Sequence, residues 1–197
     1  YNRVVFMSVP SGYEAETSGV LPKFHKVLDG NAATTERADW NLVKVENQNH
    51  IMYVLGDMHL ANRTNDLNQF ANFTADLGAL VSSNKMKKQY ALTLGDMTWD
   101  LYWYDNAYDL NSYVETMNSS ITGLQIFHTI GNHDHDMLSA GDFNTVSAYK
   151  QTVAPTYYSF NIGDVHYVVL DNILCTNDGT GNRTYDSSLT VDQIDWL

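Results

Sequence analysis

Three short stretches carry the side chains best able to do chemistry: Gly56-Asp57-Met58-His59, Gly95-Asp96-Met97 and Gly131-Asn132-His133-Asp134-His135. Carboxylates, an amide and imidazoles form a mixed oxygen and nitrogen donor set, which suits Mn, Fe or Zn better than Mg or Ca. The absence of thiolates among them argues against a structural zinc knuckle. A carboxylate at a strand end can bridge two cations about 3.5–4 Å apart, the spacing that clamps an in-line displacement at phosphorus.

Each stretch follows an apolar, β-branched run, at 51–55, 90–94 and 125–130, that reads as a buried strand, and the glycine then lets the chain turn sharply. Between the first two, Leu67, Phe70, Phe73, Leu77, Leu80 and Val81 recur at steps of three and four and predict an amphipathic helix ending near 82–84. Strands alternating with helices predict an α/β fold whose strand ends gather the polar groups in one crevice. Further on, 157–162 and 165–170 flank Gly163-Asp164 as a hairpin. Residues 176–184 read as an exposed loop, and 189–197 open a helix with Thr190 as N-cap.

In this order and at this spacing the three stretches resemble the calcineurin-like metallophosphoesterase family, whose pattern is D-x-H, then G-D, then G-N-H-D or G-N-H-E. The resemblance implies an αββα fold, a mixed β-sandwich flanked by helices, of which residues 46–197 are the first half of the catalytic domain. It implies that Asp57 and His59 ligate one divalent metal ion, that Asp96 bridges two, and that Asn132 ligates the second. His133 is then a substrate-facing residue that binds no metal and stabilises the phosphoryl oxygens or protonates the leaving group, while Asp134 orients its ring. The implied function is hydrolysis of phosphomonoesters or phosphodiesters by a hydroxide bridging two ions of Mn, Fe or Zn. General chemistry agrees, since two cations depress the pKa of bound water while an alkoxide leaving group still needs a proton.

The family pattern continues with a lone His and then Gly-His-x-His, which this sequence does not contain. Asp96 and Asn132 alone are too few donors to hold a second transition metal tightly. The 197 residues are therefore expected to be part of a longer polypeptide, whose remainder completes an incomplete fold, and to be inactive alone. Two other readings stay open: a metal-binding domain without catalysis, and a nuclease of the same fold.

With 44% hydrophobic and 17% charged residues the chain is ordinary globular material. Its net charge of −12 argues against nonspecific binding to nucleic acid or anionic membranes, so a small phosphate ester must be drawn in by the metals. No apolar run suggests membrane insertion, and Cys175 has no partner for an intrachain disulfide. Residues 4–9 are apolar and stop at Pro10-Ser11-Gly12, and about thirty residues with little periodicity follow. Residues 1–45 are read as the end of a preceding β-rich domain plus a linker, similar to bacterial members of the family with a small β-sandwich there. A decoration of the catalytic domain itself is the alternative, and a bacterial periplasmic or secreted location is expected.

Trp103 and Tyr104, in an aromatic run after Asp96, are candidates for a substrate-binding wall, although the run also fits helical packing. His128 reads as a core residue, His135 as a hydrogen-bonded loop residue, and His25 and His50 as surface residues. Lys85, Lys87 and Lys88 read as a solvated turn.

Overall fold

The computed structural model describes residues 3–31 and 33–197, so within the 1–45 stretch Tyr1, Asn2 and Ala32 lie outside the described residues. The chain begins with strands of two or three residues: β1 (Val4–Phe6), β2 (Tyr13–Ala15), β3 (Thr17–Ser18), β4 (Leu21–Pro22), β5 (His25–Val27) and β6 (Leu42–Lys44). β1 pairs with β5, β2 with β6 and β3 with β4, all antiparallel. Val9, Ala15, Val20 and Phe24 are buried in the same core as the elements that follow. Ile126 N–H donates to Val20 O at 2.8 Å, Asn161 N–H to Val9 O at 2.9 Å, and the Phe24 and Tyr158 rings lie 4.8 Å apart. Residues of the 1–45 stretch thus pack onto elements further along the chain. Strands this short bury at most one residue each and leave no periodicity to read.

The centre is a parallel sheet of β7 (His50–Leu55), β8 (Lys88–Thr93) and β9 (Gln125–Phe127), with β8 in the middle. Tyr53 faces Ala91 and Leu92 faces Phe127 in register. Parallel neighbours require a crossover. The first is α1 (Asp66–Ser83), which buries Phe70, Thr74 and Leu77; the second is α2 (Tyr102–Asp105) and α3 (Leu110–Ser120). α3 starts where the Asp109 carboxylate accepts from the N–H groups of Asn111 and Ser112, and it buries Leu110, Tyr113 and Met117.

β8 and β9 bury Tyr90, Ala91, Ile126 and Phe127 as their apolar runs demand. β7 differs from expectation: it is an edge strand with Val54 58% exposed and only Leu55 buried. β9 stops at Phe127 because the His128 peptide turns to side chains. Its N–H donates to Tyr158 Oη, and its carbonyl accepts from Tyr149 and Tyr158.

The remainder is α4 (Asp142–Thr145), α5 (Ser147–Thr152), the hairpin β10 (Tyr158–Ile162) and β11 (Val165–Val169), then β12 (Ile173–Cys175) paired with β13 (Tyr185–Ser187), and α6 (Val191–Trp196). Gly163 has φ +56° at the hairpin turn, and a Cβ there would lie 2.8 Å from Asn47 O. The Phe127 and Phe160 rings stack at 3.6 Å and Phe160 stacks on Tyr167 at 4.9 Å, so the parallel sheet and the hairpin share one core. Thr190 caps α6 through Gln193 N–H, as expected. The mixed α/β class is the one read from the sequence. No helix among the described residues is long and apolar enough to cross a membrane.

Two histidines expected on the surface are not free there. His25 is half-buried beside Phe24, where burial lowers its pKa to about 4. His50 bonds Asn47 O and Tyr167 Oη. His128 is a core residue against Tyr113 Oη, with its pKa lowered to about 3 by burial.

Candidate metal centre

The three glycine-initiated loops leave the same ends of β7, β8 and β9 and are stitched together by their backbones. His59 N–H donates to Asp96 O at 2.9 Å and Leu60 N–H to Met97 O at 3.0 Å, joining the first loop to the second. Asp100 N–H donates to His133 O at 3.1 Å, joining the second to the third. Gly131 makes that approach possible, since a Cβ on it would overlap the Asp96 carboxylate and backbone nitrogen. Asp57, His59 and Asp96 hold left-handed backbone at φ +49°, +47° and +51°. Such conformations cost about 1–3 kcal/mol each and cluster at functional sites.

Asp96 sits at the centre. Its Oδ1 accepts from His133 N–H at 3.0 Å, and its Oδ2 faces His59 Nε2 at 3.1 Å. One donor atom from each of His59, Asp96 and His133 lies within 4.8 Å of the others. Asp57 stands at the rim, 84% exposed, with Oδ1 3.8 Å from His59 Nε2. Asn132 is half-buried at the first position of the 3-10 turn Asn132–Asp134, between Gly131 and His133. The ring of His133, which the resemblance keeps off the metals, stands here among the potential donors.

Asp134 does not orient that ring. It is fully buried and accepts from the N–H groups of Met97, Thr98 and Gly131 and from Thr98 Oγ1, at 2.9 to 3.2 Å by its nearer oxygens. It therefore pins the second loop to the third. Burial pushes its carboxyl up to about 7 against the pull of those donors. The His133 ring is held instead by Asp100, whose Oδ1 lies 2.9 Å from Nδ1. The correction has a geometric cause: Asp134 is drawn under the loop by three backbone donors, while Asp100, four residues after Asp96, is turned toward the ring. With Nδ1–H donated to Asp100, Nε2 is left for the site.

Trp103, expected on a substrate wall, is buried, and its Nε1–H donates to Thr98 Oγ1 at 2.9 Å. Tyr104 is exposed and donates its hydroxyl to Asp136. The aromatic at the site is Trp99, whose ring lies 5.3 Å from His59 and 5.4 Å from His133 by centroids. Arg63 lies over the Trp99 ring at 4.6 Å from its centroid and donates to His59 O. Arg183, from the loop read as merely exposed, reaches in to Asp100 Oδ1 at 2.6 Å and to His133 Nδ1. Sequence reasoning missed Asp100, Trp99 and Arg183. Asp100 and Trp99 carried a signal in their place within the loop after β8, whereas Arg183 had none. His135 is a buried loop residue whose Nδ1–H donates to Gly131 O; burial lowers its pKa and its Nε2 has no hydrogen-bond partner.

Half-buried His59, Asp96 and His133 with Asp57 at the rim make an imidazole and carboxylate set that fits a divalent transition metal ion. The family model described as calcineurin-like phosphoesterase matches residues 51–197, a span that includes all three loops and Arg183. No curated protein matches the chain.

Proposed function

The chain belongs to the calcineurin-like phosphoesterase family, and from that premise we propose that it hydrolyses phosphomonoesters or phosphodiesters at this site with two divalent metal ions. Asp57 and His59 would hold the first, Asp96 both, and Asn132 the second, with Mn, Fe or Zn favoured by the donor types. The observation that carries the reading is the convergence of His59, Asp96 and His133 from three loops far apart in sequence. When bound, the ions supply Lewis-acid polarisation of the phosphoryl group and a nucleophilic water at neutral pH.

The chain's own residues supply the rest. Asp100, 1% exposed, fixes the His133 ring with the Nδ1 proton facing the carboxylate. Nε2 is then the ring atom through which a proton would pass to the departing alkoxide oxygen. Asp134 acts beneath, holding the backbones of Met97, Thr98 and Gly131 so that Asp96 and His133 keep their separation. Trp99 packs beside both histidines and excludes water from one side.

On this reading the second ion has only Asp96 and Asn132 within residues 1–197, so turnover requires further donors and these residues by themselves are inactive. Metal analysis and turnover of the full-length product test it. Two ions per chain with hydrolysis of p-nitrophenyl or bis(p-nitrophenyl) phosphate, lost in Asp96→Asn, is the expected result. One tightly held ion without turnover would leave a binding domain in its place.

A further inference from the structure

The geometry points to Arg183 as a substrate-binding residue that grips the non-bridging oxygens of the phosphoryl group and selects terminal phosphomonoesters over diesters. The inference rests on the hydrolase reading above and names the substrate class of that same site.

Arg183 lies on the loop between β12 and β13, anchored where Thr176 N–H donates to Thr184 O and Thr184 N–H donates to Asn177 Oδ1. From there it crosses to the ring of His133. Among the described residues only Nη1 has a hydrogen-bond acceptor, Asp100 Oδ1, and it lies against His133 Nδ1, whose own proton is turned to the same carboxylate. Nε and Nη2 have none among the described residues, on a side chain 27% exposed. Asp100, 1% exposed, receives both the imidazole and the guanidinium on a single oxygen. That carboxylate thus fixes the position of an arginine whose remaining donors stay available beside His133.

Charge gives this placement its meaning. Asp57, Asp96, Asp100 and Asp134 surround the site on a chain of net charge −12, a setting that repels a phosphate ester. The chain has four arginines, and two of them, Arg63 and Arg183, stand at this site. Arg63 lies over the Trp99 ring, donates to His59 O from Nη2 and pairs at 3.8 Å with Asp66, its Nε buried without a hydrogen-bond partner, whereas the unpaired donors of Arg183 stand beside the His133 ring. A planar guanidinium fork matches two phosphoryl oxygens at once. A terminal phosphoryl group offers three non-bridging oxygens and close to two negative charges, whereas a diester offers two oxygens and one charge. An added fixed cation therefore favours the monoester.

The test uses the full-length protein loaded with Mn²⁺, as wild type, Arg183→Gln and Arg183→Lys. Calorimetric affinity for inorganic phosphate is read beside kcat and KM for p-nitrophenyl phosphate and bis(p-nitrophenyl) phosphate. Arg183→Gln is expected to weaken phosphate binding and raise KM for the monoester, for a roughly 30-fold loss of kcat/KM, the scale of hydrogen bonds to a charged group. The diester should lose roughly threefold or less, and Arg183→Lys should recover part of the phosphate affinity because it restores charge without the fork. Phosphate affinity and the monoester to diester ratio unchanged in both variants would overturn the inference. Should the glutamine variant not fold, the lysine variant decides alone: weaker phosphate binding supports the assignment and unchanged binding overturns it. Wild type that turns over neither ester would sink the hydrolase reading instead, while the phosphate titrations still decide the role of Arg183.

Discussion

Gly131 and Asp96 touch so closely that a Cβ on the glycine would fall 2.2 Å from Asp96 Oδ1 and 2.3 Å from its backbone nitrogen. The φ of Gly131 is −111°, open to any residue, so the glycine is required by space and not by dihedral angle. Gly131→Ala must push the second and third loops apart. We expect weaker Mn²⁺ binding by calorimetry, with a stability loss of about 1–3 kcal/mol, the usual scale of overpacking. Unchanged metal affinity would show that Asp96 does not depend on this contact.

Asp100 and Asp134 should fail in different ways. Asp100→Asn disturbs the imidazole and is expected to lower kcat about 10- to 100-fold for phenyl phosphate. The loss should be smaller for p-nitrophenyl phosphate, whose leaving group needs less protonation. Asp134→Ala leaves three loop N–H groups without their acceptor, and should cost at least about 3 kcal/mol in urea denaturation. Equal effects of Asp100→Asn on both esters would remove His133 from leaving-group protonation.

Trp99 and Trp103 also separate. Trp99→Ala removes the ring packed on His59, His133 and Arg63, and is expected to lower kcat/KM about tenfold. Trp103→Phe breaks only the bond to Thr98 and should cost about 1 kcal/mol of stability while KM stays as it was. A raised KM in the Trp103 variant would restore it to the substrate wall.

Asp171 gives a pH dependence of known sign. It is 5% exposed, and burial raises its carboxyl to about 7. Between its unfolded value of 3.8 and about 7 the folded state holds the proton and the unfolded state does not, so this group lowers stability as pH rises through that window. Asp171→Asn keeps an acceptor for Ile173 N–H. It should match wild type near pH 4 and become the more stable of the two toward pH 8, the gap opening by at most about 1.4 kcal/mol per pH unit. His128, lowered to about 3, acts with the opposite slope and weakens the fold as pH falls below 6.5. A gap that does not grow with pH in denaturation curves would rule out the buried acid as its source.

Much of the frame was legible because β8, β9 and α1 are long enough for their apolar pattern to show, and because each loop of the site opens with a glycine. The α/β class, the hairpin around Gly163 and the Thr190 cap followed from the same signals. What stayed hidden was set by contacts between distant residues. Val9, Val20 and Phe24 join the core from the links between strands too short to show alternation. The His133 partner could not be told from sequence because Asp134 is its neighbour along the chain and Asp100 its neighbour in space. Trp103 and Trp99 differ in no way as letters; the bond to Thr98 draws one inward and leaves the other against the histidines. Arg183 sits in a Gly, Asn and Thr loop that spells nothing but flexibility, and only the fold brings it to Asp100.

The left-handed turns at Asp57, His59 and Asp96 make the molecule less comfortable where it is most useful. Glycine at any of the three would relax the main chain and remove a donor in the same stroke. Selection for hardiness alone, by heat or denaturant, is therefore expected to erode these positions first and to yield a sturdier protein that has forgotten its chemistry.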